Sequence, residues 1–86
     1  PDSLQARQLW EKAAELIAAM TTFALTIGAP FNDGNRRTAM ACGLVVLKVN
    51  GCESEPEPVR LLRLIVAAGS GEADQETFTQ GYLALL

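Results

Sequence analysis

Between Thr38 and Val49 the chain runs through Ala, Met, Cys, Leu and Val with few breaks, so that hydrophobicity on nearly every face replaces a clean period. That pattern predicts a central, buried helix over about 35–49, closed by Asn50-Gly51 as a left-handed stop. Immediately before it, Gly28-Ala29-Pro30-Phe31-Asn32-Asp33-Gly34-Asn35-Arg36-Arg37 crowds an acid, amides, glycines and two arginines into one place. A helix N-terminus already carries the positive end of the dipole and normally favours acids. Two arginines there oppose the helix unless an anion arrives. A phosphate group held by main-chain amides, the dipole and guanidinium forks is the economical explanation.

Each loop residue has a bland reading beside the chemical one. Asp33 is the only carboxylate of the loop and suits magnesium, which takes one or two carboxylates plus substrate phosphates, but a turn or capping aspartate looks the same in sequence. Gly34 permits close approach of a ligand to the backbone. Asn35 either donates to phosphate or caps the helix. Arg36 and Arg37 are adjacent and point about 100° apart, which predicts that one enters a site and the other reaches over its rim. Phe31, between polar neighbours, anchors the loop by inserting into the core.

The stretch Ala29–Thr38 resembles the signature loop of the Fic/Doc family, His-x-Phe-x-Asp/Glu-Gly/Ala-Asn-(Gly or Lys)-Arg. Ala29 stands where the family has its histidine base, and Arg36 stands where it has Gly or Lys. Met40 replaces a second arginine carried by Fic-type adenylyltransferases, which is similar to the Doc branch. Leu4-Gln5-Ala6-Arg7, Asn50-Gly51 and Ala67–Glu72 are also Doc-like, so the resemblance covers essentially the whole chain. It implies a small Fic-like helical domain over 1–86 lacking an N-terminal segment that helps place the target, with ATP as substrate and Mg2+ as cofactor. By position, Asp33 inherits the metal, and Gly34, Asn35, Arg36 and Arg37 inherit the phosphates. The implied activity is that of a toxin phosphorylating elongation factor Tu, restrained by a separate antitoxin because the chain has no Ser/Thr-x-x-x-Glu-Gly/Asn inhibitory pattern. Ala29 has no proton acceptor and the chain contains no histidine. Losing a general base typically lowers a rate by ~10²- to 10⁴-fold, so this form is read as catalytically impaired. Protein adenylylation and a non-enzymatic nucleotide-binding or interaction domain are the alternatives.

Composition bounds the remainder. The 86 residues suffice for one small domain, 49% hydrophobic and 20% charged, which is globular rather than disordered. A net charge of −3 argues against nucleic acid as a general partner. No apolar run has membrane-spanning length and no basic-then-apolar signal opens the chain. Pro1 is not a natural first residue, which leaves room for upstream residues, a signal peptide included. Cys42 and Cys52 are separated by most of a helix, roughly 15 Å, beyond disulfide reach. Two free thiols fit a reducing cytoplasm, with Cys42 in the core and Cys52 on a loop.

Three further helices are expected in an all-α bundle. The first runs from a cap at Asp2 or Ser3 to about Thr26, with Leu4, Trp10, Ala13, Ile17, Met20, Ala24 and Ile27 inward, opposite Arg7, Glu11, Lys12 and Glu15. Pro58 opens another, turning Leu61, Leu62, Leu64, Ile65 and Val66 inward and Arg60 and Arg63 outward, until Gly69-Ser70-Gly71 breaks it. Asp74 caps the last, from Gln75 to the end, with Phe78, Tyr82 and Leu85 on one stripe. The apolar segment Tyr82–Leu86 packs on the preceding helix or serves as a contact for an antitoxin or a second copy.

Overall fold

The computed structural model describes residues 3–28 and 33–86, with Asp33 by its backbone alone. Four helices make up the described residues, without a strand: α1 (Ser3–Gly28), α2 (Asp33–Val49), α3 (Pro58–Gly69) and α4 (Gln75–Ala84). The all-α bundle read from sequence is the architecture found. α1 and α3 each meet the other three helices, α1 most extensively along α2, while α2 packs against α1 and, more lightly, against α3.

The α1–α2 contact is made by small side chains. Ala14, Ala18 and Thr22 recur every fourth residue on α1, with Ala19 beside them, and all are buried. Ala39, Gly43 and Leu47 recur every fourth residue on α2 and are buried too. Gly43 is the point of closest approach. A Cβ built there would lie 3.4 Å from the Ala18 carbonyl oxygen, 2.8 Å from the Tyr82 hydroxyl, and in overlap with the Thr22 hydroxyl oxygen. Thr22 gives its proton to the Ala18 carbonyl at 2.9 Å, which satisfies it within its own helix. The buried Tyr82 hydroxyl has no partner in hydrogen-bond geometry, and burial pushes its pKa up, the neighbouring Thr22 hydroxyl offsetting part of that.

α3 and α4 close the core from the other side. Leu61 and Ile65 of α3 join Phe78 and Tyr82 of α4, and Phe78 lies in tilted contact with Phe23 of α1 at 5.4 Å between ring centres. Both helices are capped by carboxylates. Asp74 accepts from the Thr77 amide at 2.8 Å, as its position predicts. Glu57 accepts from the Arg60 and Val59 amides at 2.7 and 3.1 Å, a cap that the polar turn before Pro58 conceals in sequence. The Arg60 and Val59 amides hold the Glu57 carboxyl below its ordinary pKa. Gly51 takes φ 78° after α2, and Gly71 takes φ 87° after α3, so both breaks use the conformation open to glycine.

Several sequence expectations are corrected. α2 begins at Asp33 rather than Asn35, and α1 runs through Gly28. α2 is not buried on every face, since Val45 and Val49 are 57% and 76% exposed. α2 packs along only α1 and α3, so among the described residues no element covers these two valines. The predicted apolar face of α1 is turned outward: Leu4, Trp10, Ile17, Met20 and Ile27 are exposed, Trp10 by 61%, because the alanine and threonine side alone is narrow enough for the close contact at Gly43. Leu62 and Val66 of α3 are also exposed. Cys52, expected on an open loop, is buried and its thiol points to the Glu11 carbonyl, whereas Cys42 is only half-buried. Both thiols are free. The C-terminal segment is core packing, with Tyr82 buried and Leu85 and Leu86 against the core cluster.

Gly43→Ala is expected to destabilise the domain by about 1–3 kcal/mol, since backbone and two buried side chains leave no room for the methyl group. Gly28→Ala, which meets nothing within 4 Å, serves as the control and should leave the melting temperature unchanged or slightly raised. Thermal melts followed by circular dichroism read both.

Candidate functional site

The first turn of α2 carries Gly34, Asn35 and Arg36, with Arg37 next. Gly34 and Arg37 are exposed, and Asn35 and Arg36 are half-buried. Thr38 donates its hydroxyl to the Gly34 carbonyl at 2.9 Å, tying the first turn to the second. A hollow of about 320 Å³ opens beside this turn, lined by Arg36, Arg37, Met40 and Leu62. Met40 follows Arg36 by four residues and Arg37 by three, so both arginines flank it on the helix surface. Their long side chains overcome the 100° between them. Both therefore line one hollow, in place of the expected division between one in the site and one over its rim.

Chemically the hollow joins two fixed positive charges with two apolar side chains, and among the described residues no carboxylate lines it. Guanidinium forks next to the positive end of a helix favour a phosphate-bearing ligand. Leu62 comes from α3, and its role was invisible in sequence, where it counts as one more apolar residue of an amphipathic helix. Only the placement of α3 against α2 brings it to the arginines. Ala29 and Phe31, the positions read as base and loop anchor, lie outside the described residues, and so does the Asp33 side chain assigned to the metal.

A larger hollow, of about 610 Å³, lies at the other end of the α1–α2 pair, roughly 20 Å away along α2. Its wall includes Arg7, Trp10, Glu11, Glu15, Cys52 and Glu53. Three carboxylates against one arginine make it unfavourable for phosphate. Burial first, then Glu15 and Glu11, push the Cys52 thiol pKa up, so that it is a protonated structural thiol rather than a nucleophile. Among the described residues, no group of three or more Cys, Asp or Glu side chains is placed to hold a metal ion. No described helix is long and apolar enough to cross a membrane.

No family model matches the chain, and no solved structure matches it. It is, however, 37% identical over 71 residues to the protein kinase Doc of Escherichia phage P1. The chain is similar to Doc over that stretch. The match takes in 80% of the chain and 56% of Doc, so the chain spans little more than half the length of that relative. A contiguous match of that share of 86 residues necessarily includes 29–62, which contains the signature loop, α2 and Leu62.

If the hollow is an anion site, a new carboxylate in its wall should damage binding without damaging the fold. Leu62→Asp replaces a side chain that is 42% exposed, so the helical signal should be retained. Affinity for pyrophosphate, followed by the rise in melting temperature, should fall on the order of tenfold for a charge placed at a partly exposed site.

Proposed function

We propose that this chain is the nucleotide-binding core of a Doc-like transferase that moves the terminal phosphate of ATP to a protein hydroxyl, in a form that lacks its general base. The observation that carries the reading is the convergence of Arg36 and Arg37 on one hollow, with no carboxylate among the described residues that line it, in a chain related to a protein kinase. Two guanidiniums fixed beside a helix N-terminus hold triphosphate oxygens and offset the charge that builds on the transferred group. Gly34 and Asn35 supply the turn that exposes the first amides of α2. Asp33 is the residue that would hold Mg2+, which supplies further charge neutralisation on the phosphates when bound.

At position 29 the family motif places a base that takes the proton of the attacking hydroxyl, and alanine cannot accept one. Binding and proton abstraction are separable functions, so loss of the base leaves nucleotide binding in place and slows transfer. The resemblance in the signature loop supports a toxin role, with elongation factor Tu as target, an antitoxin as regulator and a cytoplasmic site of action. Phosphoryl transfer is favoured over adenylyl transfer because Met40, an uncharged residue, lines the hollow at the position where adenylylating relatives carry a further arginine.

Restoring the base tests the proposal. Ala29→His should raise transfer to elongation factor Tu by ~10²-fold or more, since imidazole is the neutral base with a pKa near working pH, and the modified protein should gain the mass of one phosphate. A folded, ATP-bound variant that leaves the target unmodified would count against the transferase reading. The mass of an adenylate would retain the family and replace the reaction.

A further inference from the structure

The exposed face of α1 has a pattern that the domain core does not use. Trp10, Ala13, Ile17, Met20, Ala24 and Ile27 are spaced three, four, three, four and three residues apart, the a and d positions of consecutive heptads. Leu9 and Leu16 occupy the flanking g positions. All these residues are exposed, the large ones from 37% at Leu16 to 66% at Leu9. No charged residue of α1 interrupts the seam, which α4 borders at Met20 with Gln75, Glu76, Thr79 and Gln80. Glu11, Lys12 and Glu15 fall at the other heptad positions, on the flank and on the side that packs against the domain. A polar, water-facing surface is the ordinary expectation for the outside of a surface helix, and here it is reversed.

We infer that α1 pairs antiparallel with α1 of a second copy of this chain along this seam. The spacing reads the same in both directions about a point between Ala18 and Ala19, which is the self-complementarity that a two-fold interface requires. Under that symmetry Ile17 lies opposite Met20 of the second copy, Ala13 opposite Ala24, and Trp10 opposite Ile27. Each a position meets a d position, and the small pair lets the helices approach between two large pairs. The exposed part of the seam amounts to on the order of 600 Å² per chain, above the patch size usual for a monomer and close to the ~800 Å² that each partner gives to a standard interface. The seam lies on the side of α1 opposite Ala14, Ala18 and Thr22, so pairing leaves the α1–α2 contact and the arginine hollow untouched.

Sedimentation equilibrium from low micromolar to several hundred micromolar chain should show the mass rise from 9.2 kDa toward twice that value. Trp10 is the only tryptophan, so its emission should move to the blue with the same concentration dependence. Ile17→Glu alters an exposed side chain and should keep the helical circular dichroism signal while weakening association by more than about tenfold. Combining Ile17→Lys with Met20→Glu, which meet between chains only in the antiparallel register, should restore the dimer. A chain that stays monomeric throughout the range would overturn the inference. So would a dimer indifferent to Ile17→Glu, an assembly larger than two, or a double variant that stays apart.

Discussion

The close approach of α1 and α2 at Gly43 is the contact on which the rest of the molecule depends. Glycine at that point, with Ala39 one turn before it on α2 and Ala18 and Thr22 facing it from α1, lets the two backbones come near enough for the Ala18 carbonyl to face α2 directly. Close packing of small residues gains dispersion contacts but buries little area per residue. Most of the large side chains of the core come instead from α3 and α4, with Phe78, Tyr82, Leu61 and Ile65 joining Leu47 of α2 beneath the pair. Tyr82 links the two arrangements, its ring in the core and its hydroxyl against Gly43.

Alignment of the pair also separates charge along the molecule. α2 starts at the end where Arg36 and Arg37 line the hollow and finishes near Glu11, Glu15 and Glu53, with the Lys48–Glu55 ion pair alongside. The dipole of α2 runs in the same sense, its positive end at the arginines. An acidic chain of net charge −3 thus keeps one locally positive hollow. Under the proposed function, phosphate recognition rests on local geometry rather than on the long-range field.

Much of the fold was legible in the sequence because glycine, proline and capping residues act locally. Gly51, Pro58, Gly71 and Asp74 bound their elements where their conformational preferences place them. Which face of α1 turns inward was not legible. Hydrophobicity pointed to the Trp10–Ile27 stripe, and the structure buries the smaller alanine side, because interhelical distance at Gly43 rather than area decides the contact. The same limit applies to the hollow. Arg36 and Arg37 were readable from the signature stretch, whereas Leu62 reaches them only through the tertiary placement of α3.

The central claim is that the phosphate-holding part of the molecule is intact while proton abstraction is lost. Calorimetric titration of the chain with magnesium ATP, with the same solution assayed for ADP, tests it most directly. Saturable binding that Arg37→Ala weakens, without ADP above the uncatalysed background, is the result expected from a hollow lined by two guanidiniums and an alanine in the base position. Absence of heat at millimolar magnesium ATP, or affinity indifferent to Arg37→Ala, would contradict it.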